Sequence, residues 1–253
     1  MATTGMMPRY IGPEVSYVDR KMTNEEIRVR FDAELAAAYS QRRPAWLPEY
    51  NRVLGLVAKV LEPFLASRLS SVLDLGAGTG NLSRRILRAF PESQVTLVDF
   101  SQNMLDEVPN VLEAFPGRYE VRQADFWQVD FPSGQFEAVI SSFALHHGRG
   151  EAVYQNLYRN IFRWLKSPGA FVCCDVVEGD TPELAALNMA GWRQHLTGRI
   201  SPGDIERLFA NYRREDSPIS LRQHLALLAE AGFCSADVVW KRDNFAVYVG
   251  VKM

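Results

Sequence analysis

From residue 70 onward, short apolar runs alternate with amphipathic stretches. Runs at 71–75, 94–99, 119–123, 136–141 and 169–175 are brief and bounded by turn residues, which predicts strands. The stretches at 81–90 and 150–165, and the one opened by Ser101 as N-cap, predict helices between them. Strands with apolar interiors that alternate with helices imply a parallel sheet covered on both faces. After Gly179 the pattern becomes helical, over 181–196, from Ser201-Pro202 to about 215, and over 220–230 with a stop at Gly232. Two strand-like runs follow, 236–241 and 245–251, joined by Arg242-Asp243-Asn244, which predicts a hairpin. Upstream, Thr23 and Glu26 have capping-box spacing, and Ile27, Phe31 and Leu35 recur at helical intervals. Pro44 and Pro48 break that pattern before a second helix over 48–65. Residues 1–22 show no period and read as a tail or flap.

The expected architecture is α/β, a doubly wound Rossmann-like sheet of seven strands with an antiparallel C-terminal hairpin. A helical cap over 23–66 precedes the main domain at 67–253, and two helices at about 181–216 are inserted as a lid before the last helix. Composition narrows the function classes. The 253 residues carry 28 Lys+Arg against 30 Asp+Glu, a net charge of −2, which excludes a strongly basic nucleic-acid binder. No apolar run approaches about 18 residues, so no membrane span is expected. The first twenty residues lack an apolar core, so no secretory signal is expected, and a cytoplasmic location is. Cys173, Cys174 and Cys234 cannot make an even disulfide framework; Cys173 and Cys174 are expected on opposite faces of one strand.

In open α/β sheets, ligands bind beyond the C-terminal strand ends. Here the first strand runs into Asp74-Leu-Gly76-Ala-Gly78-Thr-Gly80, the second ends in Asp99, the third is followed by Asp125-Phe126, and the fourth ends in Ser141-Ser142-Phe143. Glycines let backbone approach a ligand closely, and an acid ending the second strand accepts hydrogen bonds from ribose hydroxyls. The turn is not the dinucleotide fingerprint, because Asn81 stands where its third glycine belongs. Asp74 before the turn suits a cationic amine better than a pyrophosphate.

The runs VLDLGAGTG (72–80), LVDFSQNML (97–105), ADFWQVDF (124–131), AVISSFALHH (138–147) and WLKSPGAFVCCD (164–175) resemble the class I S-adenosylmethionine (SAM)-dependent methyltransferases. The resemblance implies SAM as cofactor and S-adenosylhomocysteine as product. It places Gly76, Ala77 and Gly78 along the methionine part, Asp99 on the ribose, and Phe100 and Met104 beside the adenine, with Asp74 kept as a cofactor-binding candidate for its fit to a cationic amine. It also places Asp125 and Phe126 at the adenine amino group, and Ser141 and Phe143 near the amino-acid end. Tyr39 and Arg43 match a branch in which such a pair reaches the methionyl end: Arg43 for the carboxylate, Tyr39 facing the sulfonium.

Phe31-Asp32, Asn188-Met189 and Ala231-Gly232-Phe233 are similar to carboxy-SAM synthases. Those enzymes carry Lys-Arg in the first inserted helix, where this chain has His195-Leu196. Asn188, Trp192 and His195 share one helical face, and Ile205, Leu208, Phe209 and Tyr212 form a second stripe. These stripes read either as an acceptor lid or as core or a homodimer interface. His146, Tyr39 and His195 are the catalytic candidates, with His146 as general base. A third ligand beside His146-His147 is not evident, so no metal is expected. The reading is a methyltransferase acting on a small-molecule acceptor, with neither DNA, RNA nor membrane as partner. The alternative is a SAM-utilising enzyme that does not methylate, either an intramolecular cyclase or lyase, or a carboxy-SAM synthase-like enzyme.

Overall fold

Five strands lie parallel in the computed structural model, which describes residues 21–33, 43–66 and 69–253. They are β1 (Ser70–Leu75), β2 (Ser93–Asp99), β3 (Tyr119–Gln123), β4 (Phe136–Ser142) and β5 (Leu165–Val176). The hairpin strands β6 (Ser235–Arg242) and β7 (Phe245–Lys252) complete the sheet antiparallel, in the order β3-β2-β1-β4-β5-β7-β6. The expected seven-stranded sheet with its antiparallel C-terminal pair is present, with β7 inserted between β5 and β6. The order reverses at β1, which pairs with both β2 and β4, and this switch point opens a crevice beyond their C-terminal ends.

Two apolar layers sandwich the sheet. One packs α2 (Tyr50–Leu65) and α3 (Asn81–Ala89) against it; the other packs α6 (Glu151–Trp164) and α9 (Leu221–Ala231). Cys174 belongs to the first layer and Cys173 to the second, as strand alternation dictates. Every residue of β4 is buried, which requires cover on both faces.

Local signals set the helix starts. In α1 (Asn24–Ala33), Glu26 N–H donates to Thr23 Oγ1 at 3.2 Å and Thr23 N–H donates to Glu26 Oε2 at 2.7 Å. Ser101 caps α4 (Gln102–Asp106), which leads into the short α5 (Val108–Val111). Thr181 caps α7 (Pro182–Leu196), and Ser201 with Pro202 opens α8 (Pro202–Glu215). The helix expected from Pro48 begins at Tyr50.

The stripe on α7 and α8 is core. Trp192 meets Phe209, Tyr212 and Phe245 edge-on at 5.0, 5.6 and 5.3 Å, and its indole N–H donates to Trp46 O at 2.8 Å. Helix α1 is fastened to the end of α8. Met22 N–H donates to Arg214 O at 2.8 Å, Arg30 pairs with Glu215, and Arg149 donates to Met22 O at 2.7 Å and Glu215 O at 2.9 Å. Among the described residues no helix is long and apolar enough to cross a membrane.

Candidate functional site

A cavity of about 320 Å³ occupies the switch point. The glycine turn after β1 forms its floor. Gly76 and Gly78 have φ of 66° and 55°, the left-handed region that glycine adopts without steric cost. Gly76 and Ala77 donate their N–H groups to Val98 O at 2.9 and 3.0 Å, which binds the turn to β2. A Cβ on Gly76 would lie 2.3 Å from Ala144 Cβ, whereas one on Gly78 would meet open space.

Asp99 closes β2 at the wall of this cavity. Its Oδ2 accepts Gly78 N–H at 2.8 Å and its Oδ1 accepts Ser101 N–H at 2.9 Å. Burial pushes the carboxyl above its ordinary range, against the pull of those two N–H donors. Phe100, Met104 and Phe126 build an apolar slot next to it, and Ile27 of α1 packs on Met104 from above. Asp125 accepts Trp127 N–H at 3.0 Å and the Gln128 side-chain amide at 2.9 Å, so its loop turns Trp127 and Gln128 into the wall.

The other end follows β4. Phe143 has φ 54°, a conformation that costs an aromatic residue on the order of 1–3 kcal/mol. Its N–H donates to Cys174 O at 2.8 Å, and its ring packs 6.0 Å from Tyr50 and 6.4 Å from Phe245. The Arg43 guanidinium lies 5.6 Å from the Phe143 ring centre. The turn Leu145–His147 then presents two adjacent imidazoles, their centres 4.2 Å apart and their planes tilted by 51°.

His147 lines the cavity, and His146 lies behind it. His146 Nδ1 is 2.5 Å from Asp175 Oδ1, and its backbone N–H donates to Asp175 Oδ2 at 3.1 Å. Asp216, just after α8, places Oδ1 3.2 Å from His147 Nδ1 and 3.7 Å from His146 Nε2. Burial alone would lower His146, but Asp175 and Asp216 outweigh it and hold the imidazole above its ordinary value. Burial and the neighbouring His146 charge push His147 below its own.

Of the residues singled out in the sequence, Arg43, Gly76, Gly78, Asp99, Phe100, Met104, Asp125, Phe126 and Phe143 line the cavity. Tyr39 lies outside the described residues. Four others sit elsewhere. Asp74 turns under α3, where Ser83 Oγ donates to it at 2.6 Å; burial lifts its carboxyl to about 7, and its Oδ1 has no hydrogen-bond partner among the described residues. Ala77 is buried beneath the turn. Ser141 clips β4 to β1, its hydroxyl donating to Leu75 O at 2.7 Å. His195 ends α7 beside Arg199, Arg242 and the Ala45 backbone, off the cavity wall. Its helical face is the one Trp192 commits to the core.

Two expectations change. The imidazole that faces the cavity is His147 rather than His146, and a third metal-capable group does stand beside the pair, because the fold returns Asp216 to it. Sequence reasoning missed Glu25, Ile27, Trp127, Gln128 and Ala144 on the wall, and Asp175 and Asp216 behind it. Trp127 and Gln128 directly follow a predicted site residue, so their place was within reach. Nothing local in the sequence links Asp216 to the histidines.

A methyltransferase-domain profile matches residues 72–169. A carboxy-SAM synthase of Nautilia profundicola is 22% identical over 241 residues, covering 93% of this chain and 100% of that one. A ubiquinone/menaquinone biosynthesis C-methyltransferase of Desulfotalea psychrophila is 33% identical over 121 residues, 47% of this chain and 45% of that one. Among solved structures, phosphoethanolamine N-methyltransferase 2 of Haemonchus contortus, in complex with phosphomonomethylethanolamine and S-adenosylhomocysteine, matches with a TM-score of 0.64 at 16% identity. That match covers 89% of this chain and spans 60% of the solved one.

Proposed function

We propose, for a chain that belongs to the class I SAM-dependent methyltransferase superfamily, that it methylates a small-molecule acceptor and releases S-adenosylhomocysteine. The observation that carries this is one continuous cavity, with the Asp99 carboxylate and an apolar slot toward one end and the His147 imidazole at the other. The residues present fit SAM: the floor is open above Gly78, where no atom lies within 4 Å of a built Cβ, and the carboxylate in the wall suits a diol.

SAM supplies a methyl group already activated on a sulfonium. Asp99 would accept the ribose hydroxyls. Phe100, Met104 and Phe126 would enclose the adenine, with Asp125 beside its amino group. Arg43 would hold the carboxylate through a charge-assisted pair. Phe143 and Phe126 exclude water, and alignment of nucleophile and methyl can supply about 7–11 kcal/mol of the barrier. His147, held below its ordinary value and so neutral at pH 7, would take the proton from an acceptor hydroxyl or ammonium at Nε2, and Asp216, 3.2 Å from Nδ1, would steady the imidazolium that results.

A second reading, the carboxy-SAM synthase-like one, has the full-length similarity in its favour. Against it, the position of the expected Lys-Arg falls at His195-Leu196, which does not reach the cavity; the cation in the described wall is Arg43. Mass spectrometry of the protein with SAM alone separates the readings. Intact SAM, with S-adenosylhomocysteine appearing only once a hydroxyl or amine acceptor is added, supports methyl transfer. Methylthioadenosine with a four-carbon amino acid would show that SAM reacts with itself. A carboxylated SAM formed only with an added carboxylate donor would favour the synthase.

A further inference from the structure

The geometry points to a divalent transition-metal site at His146, His147 and Asp216, opening onto the cavity. One donor atom from each of the three lies within 4.8 Å of the other two. Asp216 Oδ1 is 3.2 Å from His147 Nδ1 and 3.7 Å from His146 Nε2. Ligands at about 2.0–2.1 Å around a tetrahedral ion are separated by roughly 3.3 Å, so the two spacings to Asp216 are already near that value, and the two histidine donors, within 4.8 Å, need draw together by no more than about 1.5 Å. Two imidazoles with one carboxylate are a donor set that zinc and its first-row neighbours accept, and that magnesium and calcium do not favour.

The surroundings have the form of a built site. A metal-binding histidine commonly donates its second ring N–H to a carboxylate, which fixes the tautomer and directs the free nitrogen to the metal. His146 has that arrangement. Asp175 takes its Nδ1 side at 2.5 Å and its backbone N–H at 3.1 Å, which leaves Nε2 facing Asp216. The site is also enclosed: all three ligand side chains are less than 15% exposed, and the Asp175 and Asp216 carboxylates both face the imidazoles. Of the neighbouring cations, Arg30 pairs with Glu215, Arg149 donates to Met22 O, Glu215 O and Ser217 Oγ, and Lys21 donates to the backbone carbonyl of Asp216. With three protein ligands, a tetrahedral ion keeps one position free. His147 is the ligand that lines the cavity, so the free position lies on the side where an acceptor oxygen or nitrogen would enter. The site stands on this geometry and not on the methyltransferase reading, in which the general-base role of His147 belongs to the metal-free protein.

The test uses untagged full-length protein, stripped with a chelator and titrated with zinc in competition with a chromophoric chelator. One equivalent is expected to bind. Asp216→Asn and His147→Ala are each expected to weaken binding by tenfold or more, and Asp175→Asn by about tenfold, the scale for loss of a supporting carboxylate. His195→Ala, off the site, is expected to bind as the unaltered protein does. Cobalt in place of zinc reads the coordination directly: a visible d–d band should appear in the unaltered protein and vanish in His147→Ala. If the stripped protein takes up no zinc at equimolar concentration, the site does not exist and the cluster is a hydrogen-bonded relay. The same follows if Asp216→Asn and His147→Ala bind as well as the unaltered protein. Because a lack of uptake by the unaltered protein overturns the site by itself, a variant that misfolds does not leave the proposal beyond refutation.

Discussion

Gly76 shows how one hydrogen atom sets the shape of the cavity floor. Its φ of 66° and the 2.3 Å approach of Ala144 leave no room for a side chain. Gly76→Ala is therefore expected to weaken S-adenosylhomocysteine binding at least tenfold by calorimetry, with the secondary structure by circular dichroism unchanged. Unaltered affinity would mean the turn does not carry the ligand. His224 offers a second residue-scale prediction. Tyr158 Oη lies 2.6 Å from its Nδ1, Tyr154 and Tyr248 pack on its ring, and burial pushes its pKa down to about 4. The folded value is thus below the unfolded value of about 6.5. Below pH 6.5 the unfolded chain takes up a proton that the folded chain refuses, so this group's contribution to stability falls as pH drops toward 4, by up to about 3 kcal/mol, and is constant above 6.5. Asp74, with its carboxyl lifted to about 7, shifts stability the other way over the same window, so the readout is a difference: between pH 7.5 and 5 the urea midpoint should fall further, or rise less, in the unaltered protein than in His224→Gln. At this scale the sequence was readable where a residue's place on the cavity wall depends on its position at a strand end. Asp99 and Asp125 are such residues, since β2 and β3 run side by side and deliver their ends to one crevice. Asp74 lies off the cavity wall because, two residues before the turn, it still belongs to β1, whose alternation aims it at Ser83 on α3.

At the scale of elements, the helix starts were legible because capping is local chemistry. Ser220 and Gln223 form a reciprocal capping box at the start of α9, with the Ser220 hydroxyl accepting Gln223 N–H at 3.3 Å and Ser220 N–H donating to Gln223 Oε1 at 2.9 Å. Ser220→Ala should cost about 1 kcal/mol of stability. Its urea midpoint should fall while the affinity for S-adenosylhomocysteine stays unchanged, because α9 packs on α6 at the far face of the sheet. A loss of affinity without a loss of stability would contradict that separation. The α7 face was not legible in the same way. Helical spacing shows that Asn188, Trp192 and His195 share a face, but not what the face meets. Trp192 meets Phe209, Tyr212 and Phe245, and that contact turns His195 toward Ala45 and away from the cavity. Asp216 was beyond reach for a related reason: its place beside His147 depends on how the whole α7–α8 insertion packs back over β4 and β5.

At the scale of the molecule, the cavity is roofed by a helix held to α4 and to the end of α8. α1 contributes Glu25 and Ile27 to the wall and packs on α4, while Met22, just before it, bonds to Arg214 O and to Arg149. Arg149 is central to that fastening, since one guanidinium bridges Met22 O, Glu215 O and Ser217 Oγ, joining the start of the cap to the end of the insertion. Hydrogen bonds from a charged donor are worth about 1.5–3 kcal/mol each. Their loss should raise the free energy of the undocked state of α1 far less than that of global unfolding, because the sheet and its two cores are untouched. Arg149→Ala should therefore speed amide exchange in α1 with little change in the exchange of β1 and β4. A ligand that needs the roof in place must then supply the docking energy itself, so the affinity for S-adenosylhomocysteine should fall by about tenfold, the equivalent of roughly 1.4 kcal/mol. Linkage gives the complementary readout. A ligand at 100 times its dissociation constant stabilises the folded state by about 2.7 kcal/mol, so at one fixed concentration the rise in Tm should be smaller in Arg149→Ala than in the unaltered protein. Saturating ligand should also slow α1 exchange in both proteins. Equal exchange rates for α1 with and without ligand would show instead that the cavity fills beneath a helix that never moves, and the coupling between roof and site would be refuted.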